Sequence, residues 1–268
     1  MDSIGADADF ASTPVRAAYR LDDGPGRHRI GLIALASDYA TERDFMNLRP
    51  SDDVAVYTSR VHNVNPCTVE NLRAMAPKLT EAAALILPDG RLDVIAYSCT
   101  SATAVIGFAA VEQYIQAARP GIPCVTPITA ACAGFDALGV RRVAVLTPYL
   151  DEVNGPIRSC LEALGVDVTG FTSFGIADDN DMARLPPEAI YRAALEADRP
   201  EAEALFISCT AIRAVDVVER IEGALGKPVV TSIQAMFWQS LRIAGYGAPI
   251  AGHGRLLTLD LPPEREPA

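Results

Sequence analysis

The sequence predicts an α/β fold of two similar domains with parallel sheets, related by a pseudo-twofold axis, and an active site in the cleft between them. Two observations predict it: strand-like apolar runs alternate with helix-like segments, and the whole pattern occurs twice. Strands that alternate with helices form a parallel sheet with both faces covered. Of the 268 residues, 50% are hydrophobic, so the chain can bury a sizeable aliphatic core without disulfides or metal.

In the first half, short continuous apolar runs predict buried strands at residues 29–36, 53–59, 92–97 and 123–126. Helical spacing or polar composition predicts helices between them, at residues 41–48, 68–87 and 102–118. Pro77 lies inside the second of these helices, and we expect it to kink the helix or to divide it in two.

The second half repeats the first. Residues 29–35, 93–101 and 122–130 have counterparts at 142–148, 203–211 and 227–235, with offsets of 113, 110 and 105 residues and the order preserved. Three matches in one order indicate duplication of a complete domain.

The duplication also suggests domain limits. We expect the helices after Thr126 and Thr231 to cross into the opposite lobe. The predicted division is a flexible tail at 1–27, a first domain at 28–127 plus 233–262, and a second domain at 128–232.

Composition excludes several classes of protein. The formal charge of −11 argues against a nucleic-acid partner, and no apolar run approaches the length that a membrane span needs. The first 27 residues lack the apolar core of a secretory signal, so we expect a cytoplasmic protein. Three scattered histidines and the lack of a Cys-x-x-Cys pair predict no metal site.

Two Ser-Cys-Thr motifs carry the predicted chemistry. Cys99 and Cys209 stand at equivalent positions of the duplicated halves, each after an apolar strand and before an expected helix. A free cysteine on a buried strand is usually only a small hydrophobic residue. That interpretation suits the other four cysteines, but for this pair it requires the same coincidence twice.

The expected helix starts give both motifs a second role. The first amides of a helix have no intrahelical partner and favour negative charge. They are therefore expected to lower the pKa of each thiol and to bind a carboxylate or enolate oxygen. The predicted binding residues of this kind are Thr100, Ser101, Thr210 and Ala211.

Two thiols that face each other across a cleft suggest removal of a proton from one face of a carbon and delivery to the other. One cysteine acts as thiolate and the other as thiol, without metal, flavin or pyridoxal cofactor. A redox disulfide is the alternative, although such pairs usually lie within one short motif.

The cysteine motifs, together with residues 68–73 and the Leu-Thr-Pro-Tyr segment at 146–149, resemble the aspartate/glutamate racemase superfamily. The finer pattern is similar to its maleate isomerase and arylmalonate decarboxylase branch, and most of all to the EutA proteins of ectoine utilisation. The likeness extends over about residues 29–259. It implies a cofactor-independent isomerase or racemase that acts on a maleate-type dicarboxylate or an amino-acid-like compound of ectoine or hydroxyectoine catabolism. It also implies a homo-oligomer, most simply a dimer.

The resemblance implies further substrate-binding residues. Asp38 stands where the family has an asparagine that contacts a substrate carboxylate, Tyr149 matches the family's tyrosine, and Asn180 matches a position that reaches the substrate. An aspartate at the first position suggests a cationic group on the substrate. The alternative is that Asp38 only caps the helix that begins near Thr41.

Two other functions remain open. In an arylmalonate-type decarboxylase the resemblance implies glycine at the first cysteine position, which here is Cys99. A non-catalytic small-molecule binding protein with two lobes needs no paired thiols.

Overall fold

The computed structural model describes residues 11–263 and contains two four-stranded parallel sheets, which confirms the predicted fold class. The strands of the first sheet are β1 His28–Leu35, β2 Val54–Val61, β3 Val94–Tyr97 and β4 Cys124–Val125. Those of the second are β5 Arg142–Thr147, β6 Asp167–Ser173, β7 Ala204–Ile207 and β8 Val229–Thr231. The strand orders are β2-β1-β3-β4 and β6-β5-β7-β8.

The two sheets have the same topology. Taken in chain order, their strands occupy the same places in each sheet, and even a side-chain contact recurs. The backbone N–H of Arg29 donates to the Asp93 carboxylate at 2.7 Å, and that of Arg142 donates to the Glu203 carboxylate at 3.0 Å. Each bond joins the start of one strand, β1 or β5, to the residue just before the neighbouring strand, β3 or β7. The duplication inferred from the sequence is therefore a structural one.

Helices cover both sheets. The α-helices are α1 Thr41–Leu48, α2 Val69–Arg73, α3 Leu79–Ala84, α4 Thr100–Ile106, α5 Phe108–Ala118, α6 Pro127–Leu138, α7 Asp151–Ala163, α8 Asp179–Ala183, α9 Pro187–Ala197, α10 Val218–Leu225 and α11 Ser232–Ile243. Short 3₁₀ helices span Ala76–Lys78, Val215–Val217 and Arg255–Thr258. None of the helices in the part of the chain that the structure describes is long and apolar enough to cross a membrane.

Two predicted helices are interrupted. Pro77 lies in the 3₁₀ turn between α2 and α3, so the expected division at this proline is confirmed. The single helix expected over residues 102–118 is wrong: it is two helices, α4 and α5, which meet at Gly107 with φ of 90°. A residue at that φ ends a right-handed helix, and glycine adopts it without steric cost.

α6 and α11 link the two lobes. α11 follows the second sheet but contacts β1, β3 and α1 of the first, where Phe237 meets Phe45 at a ring distance of 4.9 Å. α6 follows the first sheet but contacts β8 of the second, and Phe135 packs against Phe206 of β7 at 5.7 Å. Each of these helices therefore crosses to the opposite sheet, and the two helices pack against each other.

The proposed domain limits stay a prediction. Of the predicted tail, residues 1–10 lie outside the described residues, and residues 11–27 contain no helix or strand.

Candidate active site

A small cavity lies at the carboxyl ends of β3 and β7, where the two lobes meet. It is called the two-cysteine cavity here, and six of the predicted site residues line it: Cys99, Ser101, Tyr149, Cys209, Thr210 and Ala211. Ligands of parallel α/β proteins commonly bind at this edge of the sheet. The cavity volume is about 20 Å³, which is space for about one water molecule. The structure therefore shows a closed site.

Cys99 occupies the N-cap of α4 in an extended conformation, with φ of −149°. Its Sγ accepts a hydrogen bond from the Ala102 N–H at 3.4 Å and lies 3.6 Å from the Ser101 hydroxyl. The side chain is only 3% exposed. The thiol therefore takes a helix-start amide next to the two, of Thr100 and Ser101, that the sequence assigns to a substrate oxygen.

Cys209 follows β7 and is 2% exposed, and its Sγ accepts from the Ala211 N–H at 3.2 Å. The helix expected directly after it is wrong, because residues 210–214 form bends and loop, and the next helical turn is Val215–Val217. The Thr210 hydroxyl donates across the lobes to the Ser98 carbonyl at 3.2 Å. This bond ties the loop to the first cysteine motif.

The predicted lowering of both thiol pKa values is also wrong for the closed, ligand-free protein. Burial raises the pKa of Cys99 to about 11, although hydrogen bonds from Ser101 and Ala102 oppose the rise. Burial raises the pKa of Cys209 to about 12, against hydrogen bonds from Tyr149 and Ala211. Loss of water outweighs a few donated hydrogen bonds. Both cysteines are therefore thiols at neutral pH.

Tyr149 is 3% exposed and lines the cavity together with Cys209, while the substrate contact that the resemblance implies stays a prediction. Its carbonyl accepts from the Asn154 amide at 3.1 Å, and Asn154 in turn accepts from the Thr147 hydroxyl at 2.6 Å. This network fixes the backbone that carries the tyrosine. Burial raises the Tyr149 pKa well above its usual value, so its hydroxyl is a neutral hydrogen-bond donor.

Three predicted binding residues do not line the cavity. Both carboxylate oxygens of Asp38 are taken at the start of α1: Oδ1 accepts from the Ala40 and Thr41 N–H groups, and Oδ2 accepts from the Thr41 hydroxyl at 2.6 Å. Asp38 therefore bonds to the start of α1, as the alternative interpretation expects, although the N-cap residue of this helix is Ala40. Asn180 bonds to Asp178. The Thr100 hydroxyl donates to the Ser232 hydroxyl at 2.9 Å.

The structure adds residues that the sequence reasoning missed. The polar ones are Asn63, Cys67, Asn71 and Asp179, and the apolar ones are Leu35, Val64, Leu72 and Met75. Cys67 is one of the four cysteines that the sequence suggests are only small hydrophobic residues, and Asp179 is the direct neighbour of the predicted Asn180. The Cys67 N–H donates to the Ala177 carbonyl at 2.8 Å, which joins two loops of different lobes. Only the tertiary fold reveals this contact.

The site contains no positive charge. Lys, Arg and His are all missing from the residues that line the cavity. Over residues 11–263 there is also no group of three or more His, Cys, Asp or Glu side chains that could hold a metal ion. The donors available to a bound acid are therefore neutral hydroxyl and amide groups.

Duplicated α/β domains with one cysteine from each at a shared cavity define the class as the aspartate/glutamate racemase superfamily. The family model of arylmalonate decarboxylase matches residues 54–257. The chain belongs to this family, and hence to the maleate isomerase and arylmalonate decarboxylase branch. That part of the resemblance is confirmed, whereas the particular likeness to ectoine-utilisation proteins stays a prediction.

The similar curated proteins include both an arylmalonate decarboxylase and maleate isomerases. Arylmalonate decarboxylase of Bordetella bronchiseptica is 38% identical over 139 residues, which is 51% of this chain and 58% of that enzyme. Maleate isomerase of Nocardia farcinica is 29% identical over 248 residues, 88% of this chain and 97% of that enzyme.

The similar solved structures also include both kinds of enzyme. A Cys-to-Ser mutant of the Nocardia farcinica isomerase, which holds a covalently bound succinylcysteine intermediate, has a TM-score of 0.79 at 25% identity, covering 86% of this chain and 98% of that one. A liganded double mutant of arylmalonate decarboxylase, with one glycine changed to cysteine and one cysteine to serine, has a TM-score of 0.76 at 30% identity, covering 85% and 97%.

Proposed function

We propose that the protein is a cofactor-independent isomerase of a small carboxylic acid, acting as a cis-trans isomerase or a racemase, with Cys99 and Cys209 as the catalytic pair. The observation that carries this proposal is that both thiols, from equivalent strand ends of the duplicated lobes, line one cavity. The near full-length match to maleate isomerase supports it. So does the succinylcysteine intermediate of the Nocardia farcinica relative.

For cis-trans isomerisation, one cysteine thiolate adds to a carbon of the double bond and forms a C–S bond. The π electron pair moves to the neighbouring carbon beside the carboxylate, and the other cysteine's thiol donates its proton there. Rotation about the resulting single bond follows. The same steps in reverse expel the thiolate and restore the double bond. In racemisation, one thiolate takes the α-proton and the other thiol protonates the opposite face.

Both reactions need one thiolate, and the closed site does not supply it freely. With a Cys99 pKa of about 11, ionisation at pH 7 costs about 5 kcal/mol. Substrate binding must therefore change the environment of one thiol. The Ser101 and Tyr149 hydroxyls and the Ala102 and Ala211 amides all bond to sulfur in this structure, and the Asn63 amide bonds to Ser37 and Asp179. The bound carboxylate is therefore held by the two hydroxyls, which turn from sulfur to the acid, and by the second N–H of the Asn71 amide.

Decarboxylation is the second candidate, favoured by the 38% identity to arylmalonate decarboxylase. A role in ectoine catabolism, a cytoplasmic location and a dimeric state remain proposals that rest on the sequence.

The test compares Cys99→Ser, Cys209→Ser and the control Cys160→Ser, whose thiol is half-buried in α7 and does not line the cavity. Small dicarboxylic and amino acids are screened by NMR in deuterated solvent for conversion, deuterium incorporation and loss of CO₂. We expect either cavity mutation to abolish conversion and the control to retain it. Loss of CO₂ that depends only on Cys209 identifies a decarboxylase, and binding without turnover identifies a binding protein. Near-normal conversion by Cys99→Ser refutes the two-cysteine mechanism.

A further inference from the structure

Asp179 presents an unpaired carboxylate oxygen at the two-cysteine cavity. The residue begins α8 and is 9% exposed. Its Oδ2 accepts from the Ser37 hydroxyl at 3.1 Å and from the Asn63 side-chain amide at 2.8 Å. Within residues 11–263 its Oδ1 makes no hydrogen bond and Asp179 forms no ion pair, and this oxygen is not fully buried, so a ligand can reach it. One oxygen is thus firmly held, and the other is left for a ligand.

None of the residues that line the cavity around this carboxylate carries a positive charge. The other titratable groups that line the cavity are the thiols of Cys67, Cys99 and Cys209 and the phenol of Tyr149, and each is neutral while it carries its proton. Burial raises the pKa of the Asp179 carboxyl, and the charges of the acidic residues Asp178 and Asp38 raise it further, against hydrogen bonds from Ser37 and Asn63. A buried carboxylate without a cation is costly. A ligand that brings a cation removes that cost, whereas a plain dicarboxylate adds two more negative charges to it.

We propose that Asp179 is the specificity-determining residue of this site, and that the substrate carries a protonated amine in addition to its carboxylate. The cation bonds to Oδ1 of Asp179, and the carboxylate takes the neutral hydroxyl and amide donors. This inference deepens the proposed function and rests on it for the assignment of the cavity as the catalytic site.

The same contact activates the cysteines. Burial is the main cause that raises the pKa of Cys67, Cys99 and Cys209, and the negative charge of Asp179 adds a smaller rise because it opposes a second negative charge nearby. A substrate cation at Asp179 offsets that charge and favours the thiolate. The group that the site recognises therefore also helps to form the nucleophile or base, whereas a plain dicarboxylate makes the thiolate harder to form.

The first experiment measures binding. Succinate and aspartate share one carbon skeleton and differ by an ammonium group, and 2,4-diaminobutyrate adds a second cation. Calorimetric titration compares them on the wild type, on Asp179→Asn, and on Asp181→Asn, a control in the same helix whose side chain is 63% exposed. The amide variant keeps an oxygen for the Ser37 and Asn63 bonds.

We expect the ammonium compounds to bind roughly ten-fold or more tightly than succinate to the wild type and to the control. Asp179→Asn is expected to abolish or reverse that preference. Tighter binding of succinate by the wild type, or a preference that survives in Asp179→Asn, overturns the proposal.

The second experiment needs no ligand. The rate of iodoacetamide labelling of Cys99 and Cys209 is followed against pH by mass spectrometry. Asp179→Asn is expected to shift both profiles to lower pH, and Asp181→Asn is expected to leave them in place. An unchanged profile in Asp179→Asn means that no negative charge acts on the thiols, which overturns the proposal.

Failure of the proposed function gives a different result. If Cys99→Ser keeps near-normal conversion, the two-cysteine mechanism fails, but the ligand preference and its dependence on Asp179 are still measured by titration. If the preference is missing while both cysteine mutants lose turnover, only the charge inference fails.

Discussion

Replacement of Asp44 by asparagine should stabilise the protein at neutral and alkaline pH. The Asp44 side chain in α1 is only 1% exposed. Its Oδ1 accepts from the Arg43 guanidinium at 3.1 Å, and its Oδ2 has no hydrogen-bond partner. Burial raises the pKa of the Asp44 carboxyl to about 7, and the guanidinium of Arg43 offsets only part of that rise.

The size of the effect follows from this pKa. In the unfolded chain the group titrates near its ordinary value of 3.8, so the folded state holds the proton more tightly. The folded protein therefore has its full stability below about pH 4 and loses stability as the pH rises towards 7. A shift of about three pKa units corresponds to a loss of about 4 kcal/mol, of which about 2.5 kcal/mol falls between pH 5 and pH 8.

The assay is urea unfolding of the wild type and Asp44→Asn from pH 5 to pH 8. The fluorescence of Trp238, the one tryptophan of the chain, reports unfolding because its side chain is fully buried. The advantage of the variant should grow by about 2.5 kcal/mol across this range. Asp52→Asn is the control, since the Asp52 side chain is 97% exposed, and it should stay parallel to the wild type. A constant difference between Asp44→Asn and the wild type refutes the reasoning.

Three further predictions concern the fold and the thiols. Gly107→Ala should lower the free energy of unfolding by about 1–2 kcal/mol in urea, because a residue with a Cβ is disfavoured at φ of 90°. A Cβ at this position would have no atom within 4 Å, so the loss comes from the backbone alone, and an unchanged urea midpoint contradicts the prediction. Phe135→Ala should lower the free energy of unfolding by about 3–5 kcal/mol, because it removes the ring packed on Phe206. A loss under about 1 kcal/mol would exclude a stabilising contact between α6 and β7 at this position. In the ligand-free protein, iodoacetamide should label the half-buried Cys160 before Cys209, and mass spectrometry showing the reverse order would exclude a high Cys209 pKa.

The sheet topology and the positions of the two cysteines could be predicted from the sequence, because both follow from the order of short segments along the chain. Apolar runs alternating with helical segments fix a parallel sheet, and the repeated Ser-Cys-Thr motifs place Cys99 and Cys209 at equivalent strand ends. The thiol pKa values were not readable. They depend on how completely the opposite lobe excludes water from each sulfur, and no spacing along the chain encodes that.

The missed residues share a related cause. Cys67 and Asp179 reach the cavity from loops of different lobes, which are joined by the backbone bond from the Cys67 N–H to the Ala177 carbonyl and by side-chain bonds of Asn63 and Asn65 to Asp179. The family resemblance points to Asn180, the direct neighbour of Asp179, but the Asn180 side chain bonds to Asp178. Asp38 was matched by motif, but its local hydrogen bonds to the start of α1 satisfy both oxygens.

Closure of the site and recognition of charge involve the same residue. A cavity of about 20 Å³ admits no carboxylic acid, so the substrate enters only when the lobes or loops separate. The bonds that bridge the lobes at this point run from Ser37 and Asn63 to the Asp179 carboxylate, and from the Asp179 N–H to the Asn65 side chain at 3.2 Å. Opening therefore frees the carboxylate to meet the ligand, and closing over a cation restores the bonds with the charge neutralised. A substrate without the cation closes the lobes around an excess of negative charge, which disfavours both the closed state and the thiolate that catalysis needs.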